Sequence, residues 1–421
     1  MIKKTVLANG VRIVTEAIPY VHSVSMGYWV ETGSKFELPH EHGASHFIEH
    51  MFFKGTKNRT AKNIAESLEN VGGQMNAFTS KENTCYYFKV LKEDLDLGIG
   101  VLTDIFLNSE FKTQEIEKEK NVILEEISMY EDTPDELVHD LLQEIVIPGH
   151  PLGKNVLGTV ESIASMNRDI LTAYITDRYV GGNIVIAAAG KIDHDEIVTK
   201  VEKMLGKILP QGRKYDLPVP KYNPENFIKE KDVEQIHLNI TTLGLNIHDE
   251  QIYAMHVLNS ILGGGMSSRL FQEIREQRGL AYSIYSHQSS FSDFGLFGVY
   301  AAVSANNAEE VTNLVLQELK KLKQGQISDL EIVNNKAQLK GSLLLGLENV
   351  GSRMSRLGRS ELVYGRVINP EEVVEEIMDV KKQDILSLAQ RLFTKENICI
   401  VAITPKGCKL EPQVLLDNNT F

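Results

Sequence analysis

Pro210-Gln211-Gly212-Arg213-Lys214-Tyr215-Asp216-Leu217-Pro218-Val219-Pro220-Lys221-Tyr222-Asn223-Pro224 carries four of the chain's 12 prolines and lies near the middle of its 421 residues. Proline removes a backbone donor and favours extended chain, so this stretch reads as a linker. The same order of elements is readable on either side of it. The first half opens with a strand pair about the Asn9-Gly10 turn and a strand at 23–30, followed by helical segments near 45–51 and 63–71. A strand at 84–90, helices at 94–107 and 114–130, a strand at 183–189 and a helix at 193–205 complete it. The second half has a strand at 235–242, a helix at 251–262, a helix near 269–277, and strands near 281–286 and 295–303. Helices at 308–322, 328–347 and 370–393 and a strand at 398–404 follow. Long helices among strands that include hairpin pairs predict an α+β fold used twice, each copy a mainly antiparallel sheet with helices packed on it. The expected domains are 1–209 and 227–421, with the linker at 210–226.

Composition narrows the function. Hydrophobic residues at 42% and charged ones at 24% are ordinary for a globular protein and exclude wholesale disorder. No run of 18 apolar residues exists to span a membrane. The N-terminus passes from Lys3-Lys4 straight into the Asn9-Gly10 turn, without the apolar core of a secretory signal. Cys85, Cys399 and Cys408 are too few and scattered for a disulfide framework, so a reducing, cytoplasmic setting is expected. A formal net charge of -13 argues against nucleic acid as partner. Part of that charge is concentrated, with 12 acidic residues against three lysines from Glu110 to Glu144. This is either a solvated helix face or a wall that attracts cations.

The densest chemistry is in Gly43-Ala44-Ser45-His46-Phe47-Ile48-Glu49-His50-Met51. On a helix, positions i, i+3 and i+4 share a face, so His46, Glu49 and His50 converge while Phe47, Ile48 and Met51 can enter a core. Two neutral imidazoles on successive turns suit a zinc ion, and Ser45 could cap the helix. A third ligand should come from elsewhere, and Glu119-Lys120-Asn121-Val122-Ile123-Leu124-Glu125-Glu126 offers two. Glu119 and Glu126 lie two helical turns apart on one face, while Glu125 points about 100° away. Spacing leaves open which of the two binds metal and which supports it.

His46-Phe47-Ile48-Glu49-His50 is the inverted zinc motif of the inverzincins. The sequence resembles the pitrilysin-type metallopeptidases over nearly its whole length, most closely the mitochondrial processing peptidase branch and its bacterial relatives. That resemblance implies one zinc ion per chain held by His46, His50 and Glu126, with Glu119 as the additional active-site glutamate. It further implies that Gly72-Gly73-Gln74-Met75-Asn76-Ala77-Phe78-Thr79 is an edge strand where Asn76 and Ala77 hold the substrate. Arg275 and Tyr282 match a pair that contacts substrate, and the two domains would face each other across a cleft enclosing the site. Pro148-Gly149-His150-Pro151-Leu152-Gly153, Leu157-Gly158-Thr159 and Gly263-Gly264-Gly265 also look typical, although His150 by itself reads as structural.

The implied activity is that of a zinc endopeptidase on peptides or unfolded, presequence-like segments. Glu49 would act as general base and then hand the proton to the leaving amine. The acidic segment would bias the site towards basic peptides, and a homodimer with complete sites is expected, with no nucleic-acid or membrane partner. Two readings compete with this: an inert peptide-holding subunit of the same fold, and a zinc hydrolase of some non-peptide amide. Inert members lose the zinc residues, and all of them are present here.

Overall fold

The computed structural model describes residues 1–206 and 217–419. Residues 210–216 of the expected linker lie outside the described residues. In the first half β1 (Ile2–Val6), β2 (Arg12–Ala17), β3 (Ser23–Val30), β4 (Gln74–Thr79), β5 (Thr84–Leu91) and β6 (Ile184–Gly190) form one sheet, in the order β1-β2-β6-β3-β5-β4. In the second, β7 (Phe227–Lys231), β8 (Ile236–Leu243), β9 (Ala281–Ser290), β10 (Gly295–Val303) and β11 (Cys399–Pro405) are ordered β7-β11-β8-β10-β9. Both sheets are mainly antiparallel. Without β1 the two orders coincide strand for strand, down to the parallel pairs β2–β6 and β7–β11. The repeated order of elements is therefore a repeated topology.

The chain divides into two compact units. One comprises Met1–Met129, Lys154–Leu217 and Leu345–Ile368, the other Tyr130–Gly153, Pro218–Leu344 and Asn369–Phe421. Among the helices packed on the sheets are α1 (Ala44–Phe52), α2 (Thr113–Glu131), α3 (Pro134–Val146) and α4 (Val350–Tyr364). Strands buried on both faces read as continuous apolar runs, as Ile184-Val185-Ile186-Ala187-Ala188-Ala189 does in β6. On one face of the first sheet Met26, Tyr28, Tyr86, Phe88 and Ile186 join a core with Phe47, Ile48 and Met51 of α1. On the other, Val14, Trp29, Cys85 and Val185 are covered by Val350, Met354 and Leu357 of α4. In the second unit Leu137, Val138, Leu141 and Leu142 of α3 cover Leu296, Tyr300, Val401 and Ile403. Each unit thus completes its second face with a helix from the other half of the chain.

Helix α4 is absent from the expected elements, because Gly351, Ser352, Gly358 and Ser360 lower its intrinsic propensity. Packing requires one of those glycines. A Cβ on Gly358 would overlap the Trp29 indole, whose Nε1 donates to Met354 Sδ at 3.4 Å. The buried Glu361 carboxylate, 2.7 Å from Lys4 and 3.7 Å from Arg12, ties the same helix to β1 and β2. Gly358→Ala is expected to destabilise the protein by roughly 1–3 kcal/mol through overpacking, read as a lower denaturation midpoint. An unchanged midpoint would contradict this account of the contact.

The expected helix 370–393 is in fact two, Pro370–Asp379 and Lys382–Leu392. Val380 and Lys381 leave helical geometry, and the Asp384 carboxylate accepts from the Lys381 amide at 2.8 Å to start the second helix. Among the described residues no helix is long and apolar enough to cross a membrane.

Candidate metal centre

Helix α1 begins without a side-chain cap of its own. Its N-cap is Gly43, at φ 90° with the backbone turned left-handed, a conformation glycine adopts at no steric cost. The capping is done from outside the helix. Glu37 accepts from the Gly43 amide through Oε2 and from the Ser45 amide through Oε1, each at 2.8 Å. Burial pushes the Glu37 carboxyl up to about 7, against the pull of those amides. Ser45, expected as a cap, lies inside the helix and is fully buried, its hydroxyl 2.7 Å from the Tyr174 hydroxyl. Tyr174 in turn meets Thr32 at 2.7 Å, and the Arg178 guanidinium lies 4.1 Å over its ring while pairing with Glu41 at 2.6 Å. The start of α1 is thereby locked by a buried polar network in which the hydroxyls and the ion pair are matched.

The motif residues emerge from this anchored end. Phe47, Ile48 and Met51 are buried in the core, and the rings of His46 and His50 lie 4.5 Å apart on the opposite face. Glu126 of α2 reaches both, its Oε2 standing 3.7 Å from His46 Nε2 and 3.7 Å from His50 Nε2. Ligating atoms of the three residues all lie within 4.8 Å of one another. A tetrahedral ion with bonds of about 2.0–2.1 Å holds its ligand atoms about 3.4 Å apart, so the donor set fits zinc with little adjustment.

Electrostatics favour the same fit. Burial, then the neighbouring His50, pushes His46 down to about 3, so its imidazole is neutral near pH 7 with a lone pair to offer. The His50 Nδ1–H donates to Glu119 Oε1 at 2.8 Å, which leaves Nε2 as the free lone pair on the Glu126 side. Lys54 Nζ holds the other Glu119 oxygen at 2.8 Å. Burial would raise the Glu119 carboxyl, but the bonds from His50 and Lys54 overcome it and keep it below the usual range. The two glutamates left equivalent by spacing therefore occupy different places: Glu126 beside both Nε2 atoms, Glu119 behind His50.

Glu49 lies one residue before His50 and outside the His46–His50–Glu126 group. Burial raises its carboxyl above the ordinary value, Glu126 adding to the effect, while a hydrogen bond from Thr79 opposes it. The Thr79 hydroxyl donates to Glu49 Oε2 at 2.5 Å. Asn76 and Ala77 lie on β4, the edge of the first sheet, where Asn76 Oδ1 accepts from the Ala77 amide at 2.8 Å.

Arg275 and Tyr282 belong to the second unit. Arg275 sits in a wide turn, Phe271–Glu276, in which the Gln277 amide reaches back five residues to the Gln272 carbonyl. Its guanidinium lies 4.8 Å from the Phe271 ring and 5.7 Å from that of Tyr282, which is 76% exposed. His150, also in the second unit, is structural: Nε2 meets the Pro218 carbonyl at 2.9 Å and Nδ1 accepts from the Leu152 amide at 3.0 Å.

Three residues with evident parts in the centre escape a reading by motif: Glu37, Lys54 and Thr79. Lys54 follows His50 by four positions, the spacing of one helical turn, and that was its only signal. Glu37 and Thr79 become neighbours of the motif only through the fold.

The chain finds relatives to match this geometry. The insulinase domain of peptidase family M16 matches residues 12–160, and the peptidase M16 inactive domain matches residues 165–339. The Bacillus subtilis protein YmxG, an uncharacterized zinc protease, is 46% identical over 97% of this chain and 99% of its own length. An uncharacterized zinc protease of Mycobacterium leprae is 41% identical over 93% of this chain and 89% of its own. Among solved structures, a protease from Helicobacter pylori superposes with a TM-score of 0.89 at 22% identity, covering 96% of this chain and 100% of that one. A peptidase M16 inactive domain from Pseudomonas fluorescens does so with 0.90 at 19%, covering 98% and 100%. At such identities the structural likeness speaks for the fold. The chain belongs to peptidase family M16, the pitrilysin-like metallopeptidases.

Proposed function

We propose that this protein is a zinc-dependent endopeptidase acting on peptides or unfolded segments. The observation that carries the reading is the convergence of one ligating atom each from His46, His50 and Glu126 within 4.8 Å, with the carboxylate of Glu49, outside that group, held through Oε2 by Thr79. His46, His50 and Glu126 would hold the ion. Zinc bound there would supply a water of lowered pKa and a Lewis acid for the substrate carbonyl. Glu49 accepts the proton of the attacking water and returns it to the leaving amine, without which an amide leaves poorly. Glu119 fixes the tautomer and orientation of His50 and raises its basicity as a ligand.

Peptide selectivity has a backbone origin in this reading. An extended substrate adding to the open edge of β4 would pair main chain with main chain, Asn76 and Ala77 being the contact residues. Arg275 and Tyr282 of the second unit, a cation and a phenol, would hold the substrate carbonyl or its developing charge. The Glu110–Glu144 segment would favour basic peptides, although Glu110, Glu115, Glu117 and Glu131 are already paired with lysines. Kinship with the processing-peptidase branch, a homodimeric state and a cytoplasmic setting are parts of the proposal that rest on the sequence.

Mass spectrometry of matched basic and acidic peptides, incubated with and without a chelator, tests it. Cleavage within the peptides, abolished by the chelator and restored by zinc, is the expected result. Failure to cut any unfolded peptide in the presence of zinc would overturn the endopeptidase reading. Equal kcat/KM for the basic and acidic sets at low salt would remove the charge preference alone.

A further inference from the structure

The inward face of β4 carries Met75, Ala77 and Thr79, alternating with the more exposed Gln74, Asn76 and Phe78. Met75 and Ala77 pack against the core that contains Phe47, Ile48 and Met51 of α1. An apolar residue is the natural third member of that face, yet position 79 carries a hydroxyl. That hydroxyl is 2.5 Å from Glu49 Oε2. Threonine is β-branched and stiff at χ1, and Thr79 is held in the ladder opposite Thr84, so its oxygen sits on a rigid support. A glutamate side chain by contrast has three torsions to settle, and the remaining oxygen of Glu49 is aimed only once Oε2 is held.

We infer that Thr79 is a positioning residue for Glu49. Its hydroxyl fixes the orientation of the carboxylate that takes the proton, and it ties that carboxylate to the same edge strand on which the peptide would lie. Base and substrate strand are then registered to each other by one hydrogen bond. The inference rests on the peptidase reading above and adds a residue to it.

Thr79→Val keeps the shape and removes the hydroxyl, while Thr79→Ser keeps the hydroxyl. The valine variant is expected to lose tenfold or more in kcat, with KM, zinc content and denaturation midpoint near wild type, since a positioned base contributes about 10²–10⁴-fold. The serine variant should return to within about threefold of wild type. Wild-type kcat in Thr79→Val, an equal loss in both variants, or a loss accompanied by loss of zinc or of stability would each overturn the inference. Crystal structures of the zinc-loaded wild type and Thr79→Val give a readout independent of turnover. A Glu49 carboxylate that has rotated away in the variant supports the role, and one that keeps its place overturns it. A wild type inactive on every peptide would sink the peptidase reading, and the crystallographic comparison would still decide the hold of Thr79 on Glu49.

Discussion

Glu49→Gln should retain its zinc and its fold while kcat falls by about two to four orders of magnitude, the contribution expected of a general base. The substitution is nearly isosteric. A glutamine carbonyl can still accept from Thr79, which lies 2.5 Å from the native carboxylate, so the side chain should keep its place. It cannot take a proton from water. The ligand atoms of His46, His50 and Glu126 are untouched, so metal analysis should match wild type. The loss should appear in kcat with KM little changed, the pattern of an interaction used in the transition state. Turnover at the wild-type rate would show that another group serves as base.

The second large effect concerns the metal itself. His50→Ala removes one of three ligand atoms, and zinc should be lost together with activity. The fold should survive, because Glu119 keeps its pairing with Lys54 at 2.8 Å and no buried carboxylate is stranded. Glu126→Ala should weaken zinc as well. Glu119→Gln, which leaves the three ligand residues in place but takes the charge from the partner of His50 Nδ1 and Lys54, should cost about 10–100-fold in metal affinity, the usual effect of a supporting hydrogen bond. Competition with a chromogenic chelator ranks the three variants directly. If Glu126→Ala bound zinc as tightly as wild type while Glu119→Gln did not, the two glutamates would have to exchange roles.

Much of this centre is legible in the sequence for a simple reason: α1 is short, and helical spacing alone brings His46, Glu49 and His50 to one face. Spacing also pairs Glu119 with Glu126 but cannot rank them, since a helical wheel has no information about which oxygen a distant imidazole will meet. The strands are legible from their β-branched and aromatic runs, and the repeated order of elements shows through as one topology used twice. Which sheet a helix covers is not legible. An apolar stripe declares that α3 or α4 must be buried without naming the surface, and α4 hides further because Gly358 answers to Trp29 rather than to helix propensity. The break between residues 379 and 382 is concealed by continuous amphipathic periodicity across Val380 and Lys381. Glu37 and Thr79 are silent for a related reason. A capping carboxylate and a supporting hydroxyl are defined by what they touch, not by the company they keep along the chain.

The exchange of α3 and α4 bears on how such a protein can be taken apart. A fragment ending at the middle of the chain would present Val14, Trp29, Cys85 and Val185 bare to solvent, and would carry α3 with nothing to rest on. Its complement would suffer the same on Leu296, Tyr300 and Val401. Neither piece is a self-sufficient module: each half of the chain leaves one face of its sheet to be covered by a helix that the other half supplies.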